Sequence, residues 1–147
     1  MNSLQMSSIN YFFEETKECR HQLPAKKWLQ KCMSIEKTQI GCINFIFCSD
    51  NYLLSLNKKY LGKTYLTDVI SFNQQQNTKD KKALVFGDIY ISIERVKENK
   101  KKYKTIFAKE LKRVMIHGAL HLIGYNDKNE KEKKLMVEKE DFYINLT

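Results

Sequence analysis

No run of apolar residues in this chain approaches the roughly 18 that a membrane-spanning helix needs, and no charged-then-apolar leader is found. The expected compartment is therefore the cytoplasm. Cysteine is sparse and poorly spaced for cross-linking: Cys19, Cys32, Cys42 and Cys48 form neither a CxxC pair nor a disulfide framework. Each lies among apolar neighbours and is expected to act as a small buried hydrophobe. Repeats, linkers and low-complexity tracts are also missing, since the glutamine run at 74–76 is too short to count. With nothing to divide it, 1–147 reads as a single domain, long enough to bury a core without staples.

Acidic residues fall short of basic ones, 17 against 26, leaving a formal charge of +9. That excess favours a polyanionic partner. Nucleic acid comes ahead of membrane, because no basic amphipathic stretch with a long apolar face accompanies the charge. Apolar content of 42% with 12% aromatics marks a globular chain despite a mean hydropathy of −0.54.

Hydrophobic periodicity divides the chain into alternating elements. Ile9 to Phe13 is short, aromatic and β-branched, a first strand. After Pro24, the stretch from Ala25 to Met33 spaces Trp28, Leu29 and Cys32 as a helix does. Ile40 to Cys48 alternates as a second strand. Ser49 and Asp50 then cap a helix carrying Leu53, Leu56, Tyr60 and Leu61, closed by Gly62. Thr67 to Phe72 is a third strand, Asn73 to Lys82 a loop, and Leu84 to Ile93 a fourth strand interrupted at Gly87-Asp88. A lysine-rich helix near Glu94, a helix from about Thr105 to Ile123 and a closing helix from Lys128 to Phe142 follow. The closing helix is expected to gather Leu135, Met136 and Phe142 on one side. These elements predict an α+β fold, a sheet of about four strands covered by helices, with strand order left open.

Histidine is also scarce. Two of the three in the chain stand four residues apart in His117-Gly118-Ala119-Leu120-His121-Leu122-Ile123-Gly124-Tyr125-Asn126-Asp127. On a helix, i and i+4 side chains leave one face a turn apart, so both imidazoles can reach one ion. Gly124 can end the helix in a left-handed conformation, and Asp127 then returns a carboxylate to the same place. Two nitrogens and an oxygen leave a fourth tetrahedral position open, the layout of a catalytic rather than a structural zinc site. A bare HxxxH is more often an ordinary helix pair with locally satisfied rings. The glycine stop and third ligand-type residue raise this one above that level. A metalloprotease presents two histidines at the same spacing but needs Glu beside the first, where this chain has Gly118. A non-catalytic RNA-binding module with a structural metal would need a fourth ligand, and only Glu130 lies near.

With Thr67-Asp68-Val69-Ile70-Ser71-Phe72 and Gly87-Asp88-Ile89 preceding the histidine stretch, the chain resembles the YbeY family of bacterial metal-dependent endoribonucleases. That family's signature is H-G-x-L-H-L-x-G-Y-D-H. Nine of its eleven positions fit here, counting the two variable ones, and the resemblance covers roughly 40–142. It implies an α+β fold, one zinc ion per chain held by His117, His121 and Asp127, and cleavage of single-stranded RNA. It also implies work on ribosomal RNA: maturation of the small-subunit 3′ end and ribosome quality control, with the small subunit and assembly factors as partners. The ion would act as Lewis acid on a phosphate oxygen or activate the attacking water.

The chain departs from the family pattern in three places. Asp127 replaces the usual third His, Asn126 the usual Asp, and Leu61 the Arg that often follows the tyrosine at Tyr60. The last departure removes a cation expected near the developing phosphate charge. Arg113, one turn before His117 on the same helical face, and Lys63, two residues beyond Leu61, are the candidate replacements. The run from Lys97 to Lys104, including Lys101 and Lys102, is a candidate phosphate track with Tyr103 as a stacking ring, although such runs are more often solvated helix faces. Ser71 is a substrate contact by family position. Asp68 and Asp88 are candidates to orient the histidines or the substrate from behind.

Overall fold

The computed structural model describes residues 8–17, 19–74 and 84–147. Its strands are β1 (Ser8–Glu14), β2 (Ile40–Cys48), β3 (Val69–Asn73) and β4 (Val85–Ser92). The helices are α1 (Lys26–Ile35), α2 (Asp50–Leu61), α3 (Ile93–Lys102), α4 (Phe107–Leu122) and α5 (Glu130–Ile144), with a 3-10 turn at Arg20–Gln22. The chain is α+β. One sheet has the order β1-β2-β4-β3, with β1, β2 and β4 parallel and β3 antiparallel along the edge of β4.

Period-two alternation decides which side chains meet the helices. In register, Ile9, Ile43, Gly87 and Tyr11, Phe45, Ile89 share the inner face, where α1, α3, α4 and α5 complete the main core. Asn44, Ile46 and Cys48 point the other way, and α2 covers part of that outer face with Leu53 against Cys48 and Ile70. The caps follow the sequence. Ser49 Oγ accepts from Tyr52 N at 3.1 Å, and Gly62 ends α2 at φ 65°, where a side chain would be strained. Asn129 and Glu132 close α5 with a reciprocal capping box.

Several boundaries move for local reasons. β3 starts at Val69 rather than Thr67, and just before it the Asp68 carbonyl accepts from Ser92 N at 3.0 Å. β4 passes through Gly87 and Asp88 unbroken, since Gly87 only makes room for Leu122. Of the expected 73–82 loop, Asn73 is in β3 and Gln74 N still donates to Phe86 O; 75–82 lies outside the described residues. α5 buries Met136, Glu140, Tyr143 and Ile144, whereas Leu135 and Phe142 face outward. Cys19, Cys32 and Cys48 are buried as expected, and burial pushes the Cys32 and Cys48 thiols up to about 12, whereas Cys42 is only half-buried beside Asn10 and Asn44.

Helix α4 lies directly on β3 and β4. A Cβ at Gly118 would stand 2.7 Å from Ile89 Cγ2, 3.1 Å from Val69 Cγ2 and 3.2 Å from Ser71 Oγ. Glycine is what lets the helix come this close. Ser71 Oγ donates to the Gly118 carbonyl at 3.0 Å and Asn73 Nδ2 to that of Leu122 at 3.1 Å. Two side chains on one face of β3 thus hold two carbonyls a turn apart on α4, fixing the helix along its axis. Gly118→Val should destabilise the fold by about 1–3 kcal/mol through overpacking, read by chemical denaturation. A variant as stable as the parent would mean that α4 has room to lift.

At the C-terminal end of α1, Glu36 gathers three donors into a nearly buried carboxylate: Tyr125 OH at 2.6 Å, Lys139 Nζ at 2.9 Å and Tyr143 OH. Burial alone would raise its pKa, but these hydrogen bonds and the Lys139 charge outweigh that and hold it below the usual glutamate range. A depressed folded-state pKa gives stability that is full above the ordinary value of about 4.3 and lost as pH falls through the folded one. Glu36→Gln should therefore lose about 2 kcal/mol near neutrality. It should also show a flatter fall in stability below about pH 4.3 than the parent, in urea melts across acid pH. Parallel curves would remove Glu36 from the acid response.

Candidate metal centre

The exposed face of α4 carries His117 and His121 one turn apart, and the turn after the helix returns Asp127 to them. Gly124 makes that return possible at φ 108°. His117 Nε2 and His121 Nε2 stand 3.0 Å apart, with Asp127 Oδ2 at 3.4 and 3.5 Å from them. A tetrahedral ion with bonds of roughly 2.0–2.1 Å sets its donors about 3.3 Å apart, so the three atoms already have the spacing of one coordination sphere. All three residues are half-buried, and His117 and Asp127 line a cleft of about 780 Å³.

The outer nitrogens fix which way the inner ones act. His121 Nδ1 lies 2.9 Å from the Tyr125 carbonyl, which can only accept, so that nitrogen carries the proton and Nε2 presents a lone pair. His117 Nδ1 meets Glu140 Oε2 at 2.6 Å, and a carboxylate there selects the same tautomer. Burial disfavours the charged form of His117. The hydrogen bond and charge of Glu140, with Asp68 and Asp127 beyond, more than offset that and raise its pKa. With both Nε2 atoms free of protons, two lone pairs and a carboxylate oxygen face one another at the spacing of one coordination sphere. The donor set fits a divalent ion.

Glu140 in turn is held by Arg113. Arg113 Nη1 reaches Glu140 Oε1 at 3.4 Å and Asp141 Oδ1 at 3.1 Å, and its Nε lies 3.6 Å from Glu110 Oε2. Arg113 therefore sits in the cleft beside His117, but its guanidinium already spans three carboxylates. Asp68 lines the same cleft and accepts from Asn99 Nδ2 at 3.3 Å. The remaining candidates are not brought to the histidines. Ser71 lies beneath α4 with its hydroxyl on the Gly118 carbonyl. Asp88 is on the opposite face of the sheet, accepting from Asn44 at 3.0 Å and Gln74 at 3.3 Å. Lys63 follows α2 with its ammonium 5.7 Å from the Tyr65 ring centre. Lys101 and Lys102 are exposed at the end of α3, beside Glu98 and Tyr103 respectively.

Glu140 and the Tyr125 carbonyl are the functional groups that sequence reasoning missed. A main-chain oxygen leaves no trace in sequence. Glu140 left one: a carboxylate on the stripe Met136, Glu140, Tyr143 that α5 buries. Glu140→Gln should weaken divalent-ion binding by about 10- to 100-fold with the fold intact, measured by competition against a chromophoric chelator. Unchanged affinity would make the Glu140 contact incidental.

Comparison with known proteins gives concordant matches. A family model described as endoribonuclease YbeY matches residues 10–147. The endoribonuclease YbeY of Karelsulcia muelleri is 48% identical over 136 residues, 92% of this chain and 93% of that one. Its counterpart in Flavobacterium psychrophilum is 45% identical over 138 residues, 94% and 95% of the two chains. A solution structure of a Thermotoga maritima protein superposes with a TM-score of 0.59 at 30% identity, over 91% of this chain and 86% of that one.

Proposed function

The chain belongs to the endoribonuclease YbeY family and is an enzyme of that class, and we propose that it cuts single-stranded RNA with one zinc ion held by His117, His121 and Asp127. The work assigned to it is maturation of ribosomal RNA at the small-subunit 3′ end and ribosome quality control, in the cytoplasm, alongside small-subunit assembly factors. The observation that carries the reading is the convergence of three metal-donor atoms, two of them from residues lining an open cleft, in a chain of formal charge +9. When bound, zinc polarises a phosphate oxygen or activates the attacking water.

The protein's own groups supply the rest. Glu140 and the Tyr125 carbonyl hold the imidazoles in the tautomer that offers Nε2 to the ion. Of the two candidate cations, Arg113 is favoured by place, since it lines the cleft beside His117. Tied to three carboxylates, it contributes by fixing Glu140 and by its charge, rather than by a free bidentate grip. Asp68 acts from the cleft floor through Asn99, and Lys101 and Lys102 extend the basic surface on which RNA lands.

Rival chemistries meet specific obstacles. A protease of the HExxH type needs a glutamate where Gly118 is pressed against Ile89 and Val69. A structural site needs a fourth protein ligand, and the metal-donor group among the described residues contains only His117, His121 and Asp127. The test is cleavage of a labelled single-stranded RNA. Chelation should abolish it and zinc restore it; His121→Ala should reduce it to background, and Asp127→His should retain it. Cleavage persisting in chelated protein and in His121→Ala alike would sink the proposal.

A further inference from the structure

The cleft that holds the metal donors extends to the turn between α3 and α4, where its rim changes character. The interior groups are acidic: Glu110 and Glu140 are buried and bridged by Arg113, with Asp68 and Asp127 half-buried. Along the opening stand Tyr103, Lys104, Lys109 and Lys133, all exposed. Tyr103 is 61% exposed, and the Lys102 ammonium lies 5.4 Å from its ring centre. A shallower cleft of about 530 Å³ on the α4–α5 side shares Lys104, Thr105 and Lys109 with the first. Lys104 and Lys109 therefore border both clefts, and Tyr103 lines the first beside them.

The backbone of this turn points the same way. Tyr103 N donates to Asn99 O at 2.9 Å, Lys104 N to Lys101 O at 3.3 Å and Thr105 N to Lys100 O at 3.0 Å, which closes α3 tightly. Lys104 occupies the left-handed position at φ 53°, where glycine is the unstrained choice and where α2 does use glycine. A lysine there accepts local strain and gains an ammonium at the mouth of the cleft.

We propose that the α3–α4 turn is a nucleotide subsite of the RNA-cutting cleft: an unstacked base of the single strand lies on Tyr103 while Lys104 and Lys109 take the phosphates that flank it. This rests on the RNA-cleaving reading and adds where the strand runs relative to the metal donors. A ring with an open face stacks on any base, and exposed lysines follow a backbone without reading sequence. The subsite therefore selects unpaired strand, because a base held in a duplex has no free face to offer.

The experiment measures binding of a nuclease-resistant single-stranded 2′-O-methyl phosphorothioate oligonucleotide to the zinc-loaded protein, alongside cleavage of the matching RNA. Tyr103→Ala should weaken binding roughly 5- to 100-fold and raise KM with little change in kcat, while Tyr103→Phe stays near the parent. Lys104→Gly should raise the melting temperature, by relieving the left-handed lysine, and yet weaken binding. The slope of log affinity against log salt should become shallower by about 0.7, the value for one phosphate contact on a single strand. Zinc affinity should be unchanged in all three. Parent-like binding by Tyr103→Ala, or an unchanged salt slope in Lys104→Gly, overturns the subsite. Because binding is read without cutting, a protein that binds through this turn but does not cleave would refute the nuclease reading and leave the subsite standing.

Discussion

Two imidazoles on one helix can share an ion only if that helix cannot roll, because a rotation of a fraction of a turn would swing both nitrogens away from the third donor. The contact that prevents this is the seating of Gly118 against Ile89, Val69 and Ser71. A side chain there would prop α4 off the sheet; its absence lets the helix rest on β3 and β4. Ser71 and Asn73 then hold the carbonyls of Gly118 and Leu122 from below. Inner face and outer face divide cleanly from that point. Leu111, Met115, Ala119 and Leu122 enter the core, and His117 and His121 are left half-buried on the other side.

With α4 fixed, two other helices finish the site. Helix α5 brings Glu140 to His117 Nδ1, and Arg113 keeps that buried carboxylate compensated. Helix α1 contributes more remotely: Glu36 accepts from Tyr125 OH, and the Tyr125 carbonyl receives the His121 proton. One carboxylate acts on a ligand directly and another through the turn that carries it. Both imidazoles are thus oriented by groups from outside their own helix or beyond its end, and the lone-pair arrangement is set before any ion arrives.

Much of this was legible in the sequence. The HxxxH spacing, the glycine stop and the returning carboxylate follow from helix geometry, and strand alternation identified the sheet. What escaped were relations between distant segments. Ser71 looked like a substrate group, yet it sits under α4, and nothing local to β3 says which face the helix will cover. Asp88 looked like support for the histidines, but its place beside Gly87 in an unbroken strand sends it to the opposite face, since neighbours along a strand point oppositely. Arg113 was correctly placed on the histidine face by its i−4 spacing. Its engagement with Glu110, Glu140 and Asp141 depends on where α5 packs, which spacing within α4 does not encode. Leu135 and Phe142 were assigned to the buried side of α5, whereas the helix turns Met136 and Tyr143 inward around Glu140.

The separation of acid from base within the cleft follows from the same packing. Burying Glu110 and Glu140 near the metal donors gives the interior negative charge that Arg113 alone does not balance, with Asp68 and Asp127 adding to it. A phosphate approaching that interior is repelled, while the exposed lysines outside attract the rest of the strand. A divalent ion held by His117, His121 and Asp127 would offset much of that negative charge beside the donors. The lysine rim can gather the strand at any time, but a phosphate is drawn inward only where positive charge offsets the surrounding carboxylates. The excess of basic over acidic residues thus has a spatial meaning that composition did not carry: lysines at the opening, acids inside.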